Sequence, residues 1–378
     1  MLSAFNSKKF RFWSFVSMFL LVYVHGYNLN ESYLQPWTLP HEPLTFTTFT
    51  EYWLANGLFR FRIPMLFIIS GYLFAMSDST PYKQRAGKRV RTLLYPYLVW
   101  SAFGLLLTWG LEFFPYSRDI VVSTRMMQLD ETRVLLHQYH WYEVLIRWIF
   151  FPVSYQLWFI RVLLVYNLAY PALRWCITHP VAKWIFFSIV ILWWIATSGF
   201  VLIEGEGLLF FSLGIWMQKR NFDIDTPNKW LQPTFWLIVF IGASLLKTWL
   251  ALMENINVLE PILLLLHKIT VISGLICAWY GCNTLVKFFM EKKWFNWLTA
   301  FSFMIYVFHA PLVVYATKAV FMQINHWHAY RMITYIVLPF CLVVMAVCLG
   351  ALMRSWIPGV YSFVTGGRGV KSNVKSII

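Results

Sequence analysis

The chain alternates apolar runs of about 20 residues with short polar segments, the pattern of a protein that crosses a membrane several times. Few charged residues interrupt the runs. We therefore predict an all-α polytopic membrane protein with about ten transmembrane helices. Their expected limits are 10–27, 53–76, 92–112, 155–177, 183–203, 205–219, 230–252, 260–284, 296–319 and 332–354.

Lysine and arginine residues cluster before the first run and after the second, sixth and eighth runs, which places them on one predicted side. The opposite side receives segments 28–52 and 254–260, neither of which holds a lysine or arginine. Because basic loops stay in the cytoplasm, this asymmetry predicts that both termini are cytoplasmic. It also accounts for the net charge of +15, whose scattered positions do not form the continuous basic face of a nucleic-acid-binding protein.

The composition, 59% hydrophobic and 12% charged, agrees with one membrane-embedded domain over 1–378 and no separate soluble domain. The longest connection, 113–154, is predicted to be an outer loop, and its aromatic, amphipathic stretch 134–151 predicts an interfacial helix. Five cysteines lie in or beside apolar runs without paired spacing. They predict buried thiols and no metal site.

Two arginines, Arg60 and Arg62, lie inside an apolar segment that is predicted to span the membrane. An arginine in hydrocarbon costs at least about 2.5 kcal/mol, so such residues normally face a bundle interior and an anionic partner. Pro64 predicts an irregular start to this helix, which would turn both side chains toward one cavity. His25 ends the first run at a similar depth. The three residues together predict a buried reaction site.

These residues belong to an ordered set of motifs that resembles the integral-membrane acyltransferase family 3, whose members move acyl groups from acyl-coenzyme A to carbohydrates and related acceptors. The resemblance covers essentially the whole chain. Its parts are His25, Arg60-x-Arg62 followed by Pro64, Phe67-Ile68-Ile69-Ser70-Gly71-Tyr72-Leu73, Phe151-Pro152-Val153, Gln156-Leu157-Trp158-Phe159, and Ser302-Phe303-Met304-Ile305-Tyr306-Val307-Phe308-His309. Before the histidine, where members commonly carry an acidic residue and an arginine, this chain offers only Lys8, Lys9 and Arg11.

The resemblance implies an O-acyltransferase of the bacterial cytoplasmic (inner) membrane. Cytosolic acyl-CoA, most commonly acetyl-CoA in the family, would supply the acyl group, and a cell-surface polysaccharide or lipid-linked carbohydrate would accept it. His25 is implied to be the general base, and Arg60 and Arg62 are implied to hold the donor phosphates or the thioester oxyanion. No metal and no nucleic acid are expected. The implied substrate-binding residues are Ser70, Phe151, Pro152, Val153, Gln156, Trp158, Ser302, Tyr306 and His309.

Other interpretations stay open from the sequence alone. His25 also fits a satisfied interfacial histidine, and the arginines also fit snorkelling to the interface or ion pairs with Glu51 or Glu143. His309 fits a catalytic residue and a hydrogen-bonded core residue equally. The main alternative function is a transporter or exporter of a glycan or lipid-linked sugar. Against it count the lack of an inverted repeat and of an acidic relay inside the membrane. A noncatalytic structural protein leaves the buried arginines unexplained.

Overall fold

The computed structural model describes residues 2–28, 35–130, 132–253, 259–327 and 329–369, and within these ranges it contains helices and no β-strand. The α-helices are α1 (Ala4–His25), α2 (Phe46–Tyr52), α3 (Arg62–Met76), α4 (Tyr82–Arg89), α5 (Tyr95–Leu111), α6 (Pro115–Thr124), α7 (Trp141–Ile149), α8 (Trp158–Leu168), α9 (Tyr170–Thr178), α10 (Ala182–Ile195), α11 (Gly205–Lys219), α12 (Pro233–Leu252), α13 (Leu259–Ile276), α14 (Asn283–Glu291), α15 (Lys293–Leu298), α16 (Ser302–Phe308), α17 (Leu312–Ile324), α18 (Tyr330–Trp356) and α19 (Pro358–Thr365). Short π-helical turns cover Trp53–Leu58, Val90–Leu94 and Cys277–Gly281, and 3₁₀ turns cover Leu136–Gln138, Tyr155–Leu157 and Thr299–Phe301.

The all-helical prediction is confirmed, but the count of ten spans is not. Among the described residues, five helical segments are long and apolar enough to cross a membrane, or up to seven if each of two bent pairs is one span. Helix α10, predicted as a full span, has 14 residues, and α11, predicted as a short span that is tilted or half-buried, has 15; both have fewer than the roughly 20 that a straight crossing needs. The five segments are Phe46–Met76, Tyr82–Leu111, Pro233–Leu252, Glu260–Gly281 and Tyr330–Trp356. The bent pairs are Tyr155–Leu168 with Tyr170–Thr178 and Lys293–Phe308 with Leu312–Ile324.

The second predicted span begins earlier than the sequence indicates, because the end of the predicted loop 28–52 is helical from Phe46. Thr45 caps this helix by accepting a hydrogen bond from the Thr48 amide, and the Thr48 hydroxyl accepts one from the Thr45 amide. The helix then widens into the π-helical turn Trp53–Leu58 and breaks before α3 starts at Arg62. Pro64 lies in the first turn of α3, where a missing N–H costs no intrahelical hydrogen bond.

Helices α3 and α11 run in the same direction and pack closely through glycine. A Cβ atom at Gly71 would lie 2.1 Å from the carbonyl oxygen of Phe211, and one at Gly214 would lie 2.2 Å from that of Ile68. Only glycine fits at these two points, as is usual where membrane helices approach through small residues. The contact fixes the first residues of both helices at one end of the bundle and the last residues at the other end.

At the far end of this helix pair, charged residues bind one another directly. Asp78, just after α3, accepts a hydrogen bond from Lys219 at the end of α11 and lies 3.0 Å from an Arg85 guanidinium nitrogen and 3.4 Å from one of Arg174. The Tyr170 hydroxyl donates to the same carboxylate at 2.7 Å. Burial would raise the pKa of Asp78, but the hydrogen bonds from Lys219 and Tyr170 outweigh it and lower this pKa below its usual value.

The connection 113–154, predicted as a loop with one interfacial helix, contains α6 and α7, and its apolar residues form a small core with Leu105 of α5 and Tyr315 of α17. The amphipathic helix is shorter than the predicted stretch 134–151 and covers only Trp141–Ile149. It has no buried residue. Glu112 holds the preceding turn by accepting hydrogen bonds from the Leu136 and His137 amides.

Candidate active site

A cavity of about 610 Å³ opens between the end of α1, the start of α3, the start of α11 and the middle of α13. Among the residues that the sequence singles out, six line it: His25, Arg60, Arg62, Gln156, Trp158 and Tyr306. The irregular segment between Leu58 and Arg62 replaces a regular helix, on which residues two positions apart would point in different directions. Both arginines therefore reach the same cavity. The volume is in the range of small-molecule sites.

His25 is the last residue of α1, and aromatic rings hold its imidazole on two sides. The imidazole of His309 stacks on it with ring centroids 5.4 Å apart and an angle of 20° between the planes. The Tyr155 ring meets it edge to face at 4.9 Å. These contacts fix the ring at the cavity wall.

His309 does not line the cavity, and it supports His25 from behind. Its side chain is buried, and its Nδ1 lies 3.1 Å from the Ile305 carbonyl oxygen. Because a carbonyl oxygen only accepts, Nδ1 carries the proton and Nε2 has the lone pair. That Nε2 atom has no hydrogen-bond partner within the described residues.

Arg62 is almost fully buried, and its Nη1 donates to the Phe59 carbonyl oxygen at 2.7 Å across the helix break. The acidic partners that the sequence suggests are engaged elsewhere. Glu51 accepts a hydrogen bond from the Asn28 amide at 3.0 Å, and Glu143 pairs with Arg133 at 2.8 Å. Glu206 instead lines the same cavity as both arginines.

Four further residues of the cavity wall were missed by sequence reasoning: Glu204, Glu206, His267 and Lys268. Glu204 caps α11 by accepting hydrogen bonds from the Glu206 and Gly207 amides. The sequence pattern suggests that Glu204-Gly205-Glu206 is a polar turn between two spans. In the structure, the packing of α11 against α3 brings both glutamates to the cavity wall. His267 and Lys268 could have been found from the sequence, because they interrupt an apolar run as Arg60 and Arg62 do.

A tryptophan connects two of these residues. The Trp194 indole Nε1 donates to Glu206 Oε2 at 3.3 Å, and Lys268 Nζ donates to the Trp194 carbonyl oxygen at 2.6 Å. The cavity therefore contains two acidic residues, Glu204 and Glu206, that the sequence pattern assigns to a turn between two predicted spans. Its position between two predicted spans hid this acidic pair from sequence reasoning.

Gln156 and Tyr306 connect the start of α8 to α16. Gln156 Nε2 donates to the Ala310 and Val307 carbonyl oxygens at 2.9 and 3.2 Å, and the Tyr306 hydroxyl donates to the Gln156 carbonyl oxygen at 2.7 Å. Both side chains are buried. These bonds hold Tyr155 and Trp158 at the cavity and set the position of His309.

The structure keeps the other predicted residues out of the cavity wall. Ser302 starts α16, and its hydroxyl donates to the Thr299 carbonyl oxygen at 2.7 Å. Val153 packs in the small core of the 113–154 connection, after the buried Pro152 and the half-exposed Phe151. Ser70 lies within α3, about three turns below Arg60. In the described part of the chain, no group of three His, Cys, Asp or Glu side chains has metal-binding geometry.

Comparison with known proteins identifies the family of the chain. The model of an acyltransferase domain, the acyltransferase 3 family, matches residues 13–355. The chain therefore belongs to the acyltransferase 3 family. It is also similar to the succinoglycan biosynthesis protein ExoH of Rhizobium meliloti (strain 1021), with 24% identity over 336 residues that cover 83% of this chain and 81% of the relative. No solved structure matches the chain. The family and this relative support carbohydrate acyl transfer in general.

Proposed function

We propose that this protein transfers an acyl group, in the simplest case acetyl, from cytosolic acyl-CoA to a hydroxyl of a cell-surface or lipid-linked carbohydrate. The observation that carries the proposal is the meeting of His25, Arg60 and Arg62 at one cavity of about 610 Å³. Membership of an acyltransferase family supports the reaction class. The name of the ExoH relative, a succinoglycan biosynthesis protein, supports a carbohydrate acceptor.

In the proposed reaction, His25 takes the proton from the acceptor hydroxyl while that oxygen attacks the thioester carbonyl carbon. A new C–O ester bond forms, the C–S bond breaks, and the coenzyme A thiolate leaves. The proton on His25 then passes to the thiolate, so the imidazole returns to its neutral form. The stacked His309 and the Tyr155 edge keep the ring oriented through these steps. The reaction therefore needs no reactant other than the acyl donor and the acceptor hydroxyl.

Arg60 and Arg62 supply the positive charge that the reaction requires. As the hydroxyl attacks, negative charge develops on the thioester oxygen, and a guanidinium held in a low-dielectric cavity stabilises that charge more than water does. The same fork-shaped groups also suit donor phosphates, which they bind bidentately. Glu206 lines the same cavity and provides an acidic counterpart to both guanidiniums.

The cavity wall also suits a sugar. Trp37, Tyr155 and Trp158 provide flat aromatic faces for the apolar C–H surfaces of a sugar ring, while Glu204 and Lys268 provide acceptors and donors for hydroxyls. Carboxylate and ammonium groups near aromatic faces give both orientation and specificity. We therefore place the acceptor between these aromatic residues and His25.

For the membrane arrangement we propose ten crossings in the bacterial inner membrane with both termini in the cytoplasm. The basic residues Lys83–Arg91 and the N-terminal cluster would then be cytoplasmic, and the cavity would lie toward the outer side. Thiol labelling tests this arrangement. A cysteine introduced at Pro43 should react with a membrane-impermeant reagent added outside cells, and one introduced at Lys88 should not. The reverse pattern would invert the proposed route of the donor.

One observation favours the alternative of a glycan exporter. Glu204, Glu206, His267 and Lys268 place several titratable groups in a single cavity, which is a feature of proton-coupled transporters. Purified protein in liposomes with radiolabelled acetyl-CoA and a carbohydrate acceptor separates the two functions. The proposal expects label in an alkali-sensitive ester of the acceptor. Movement of unlabelled glycan across the bilayer without ester formation would support export and contradict the proposal.

A further inference from the structure

The helix break that turns Arg60 toward the cavity changes the pairing of the backbone groups around it. In a continuous α-helix, the Asn56 carbonyl oxygen would accept a hydrogen bond from the Arg60 amide, four residues further on. Here the Arg60 amide donates to the Gly57 carbonyl oxygen instead, at 3.2 Å. The Asn56 carbonyl oxygen accepts from the Nζ of Lys247 in α12, at 2.8 Å. A donor from a different helix therefore takes the place of the Arg60 amide.

A second carbonyl oxygen at the break is also bound by a cation. Phe59 follows the π-helical turn, and its carbonyl oxygen accepts from Arg62 Nη1 at 2.7 Å. Cations suit this place because the C-terminal end of a helix carries partial negative charge, and its last carbonyl groups have no intrahelical donor. Lys247 and Arg62 thus stabilise the two sides of the same break.

The burial of Lys247 shows that this bond is made at a cost. The side chain is fully buried in α12, a helix long and apolar enough to cross a membrane. An ammonium in such a place is expensive, and ionisable residues there commonly serve a function. In the described part of the chain, no carboxylate forms an ion pair with Lys247. Its contacts are the Asn56 carbonyl oxygen and the ring of Tyr52, whose centroid lies 5.8 Å from Nζ.

Neighbouring contacts hold α12 against the π-helical turn Trp53–Leu58. Ser244, one turn before Lys247, accepts a hydrogen bond from Trp53 Nε1 at 3.0 Å. A Cβ atom at Gly57 would lie 3.3 Å from the Ser244 Cβ, so glycine brings the two segments close together. Lys247 itself does not line the cavity. Any effect of Lys247 on the reaction is therefore exerted through the segment that carries Arg60.

We propose that Lys247 is a positioning residue for acyl transfer: its ammonium holds the helix break at Asn56, and the break directs the Arg60 guanidinium into the cavity. The inference rests on the proposed function, in which the arginines stabilise charge that develops in the transition state. Without the ammonium, the Asn56 carbonyl oxygen would take back the Arg60 amide, and a regular helix would turn Arg60 and Arg62 in different directions. Turnover would fall because such donors act only when they are held at a fixed position.

Labelled acetyl transfer by the purified full chain tests this role through its coupling to Arg60. Lys247→Met keeps the length of the side chain and removes its donor, so the turnover number should fall by about 10-fold or more, as for a lost charged hydrogen bond. In an Arg60→Lys background, the same substitution should cost about 2-fold or less, because Lys247 acts through Arg60. Equal losses in both backgrounds would overturn the proposal. So would a lower unfolding temperature with an unchanged turnover number, which would make Lys247 merely structural.

Ser244→Ala is the matched control, because it removes a neighbouring bond between α12 and the π-helical turn without touching the break. It should retain the wild-type turnover number, and a loss as large as that of Lys247→Met would overturn the proposal. Lys247→Gln, which keeps an N–H donor without the charge, takes the place of Lys247→Met if that variant does not fold. The same coupling to Arg60→Lys is expected of it.

Hydrogen–deuterium exchange tests the helix break without reference to activity. Peptides that cover residues 53–62 are followed by mass spectrometry in wild type, Lys247→Met and Ser244→Ala, each as the full chain in detergent. Lys247→Met should change the exchange of this segment, with α8 unchanged, because the pairing of the Arg60 amide depends on the ammonium. Wild-type exchange in an active Lys247→Met protein would reject the role of Lys247 alone. Absence of acyl transfer by wild type would reject the proposed function itself.

Discussion

The two ends of the α3–α11 pair carry similar numbers of charges and use them differently. At the far end, the Asp78 carboxylate is bound directly by Lys219, Arg85, Arg174 and Tyr170, and the charges bind one another. At the near end, Arg60, Arg62, Glu204 and Glu206 surround a cavity large enough for a ligand. Direct pairing locks the helices together. Charges arranged around a space are available to a substrate, and this contrast separates structural from functional ionisable residues.

The largest effect on turnover is expected from a substitution of His25, at the near end. His25→Ala should lower the turnover number for acyl transfer by about 10²–10⁴, the usual contribution of a general base, with unchanged insertion and unfolding temperature. The measurement is transfer of labelled acetyl groups by the purified variant. His326→Ala, at an exposed position, is the control and should retain wild-type turnover. Near-wild-type turnover in His25→Ala would reject the mechanism.

A substitution of His309, which lies behind His25, should have a smaller effect on turnover. His309→Phe keeps a ring against His25 but loses the hydrogen bond to the Ile305 carbonyl oxygen. Because one such hydrogen bond contributes about 0.5–1.5 kcal/mol, turnover should fall by about 10-fold or less and the KM for acyl donor should stay unchanged. Steady-state kinetics with varied acetyl-CoA gives both quantities. A loss as large as that of His25→Ala would instead make His309 a catalytic residue.

A substitution of Asp78, at the far end, should lower the stability of the protein and leave the acyl-transfer reaction unchanged. Asp78→Asn leaves three cations without their carboxylate and should lower the free energy of unfolding by about 1–3 kcal/mol, discounted because the site is partly exposed. The turnover number of the folded fraction should equal that of wild type. Asp119→Asn, at an exposed position, is the matched control for unfolding measured in detergent. Lost turnover at full stability would show that this cluster serves the reaction.

The pH dependence of the far end follows from the lowered pKa of Asp78. A carboxylate with a lowered folded-state pKa stabilises the protein above its unfolded pKa of about 4 and loses that contribution as pH falls through the folded value. The difference in unfolding temperature between wild type and Asp78→Asn should thus be constant from pH 7 to about pH 5 and shrink below about pH 4. A difference that persists at lower pH would exclude ionisation of Asp78 as its origin.

The sequence predicts features that depend on neighbouring residues, and it misses those that depend on packing between distant segments. Apolar runs predict the helices, and Arg60, Arg62 and His25 stand out because charge inside an apolar run is costly. The role of Glu206 is not local, because it depends on the packing of α11 against α3, elements 141 residues apart at their paired ends. The helical start at Phe46 was missed because a Thr45–Thr48 pair caps it in place of the usual acidic residue at the third position.

The contrast between the two ends is tested most directly by two matched charge-conserving substitutions, Arg62→Lys and Arg85→Lys, which change buried arginines at opposite ends of one helix pair. Lysine keeps the charge but loses the planar fork that binds a phosphate or thioester oxygen. Labelled acetyl transfer and thermal unfolding are measured on both purified variants. We predict that Arg62→Lys loses about 2 kcal/mol or more of transition-state stabilisation with a wild-type unfolding temperature, while Arg85→Lys unfolds earlier and keeps its turnover number. Full activity in Arg62→Lys, or the same loss of turnover in both variants, would contradict the account.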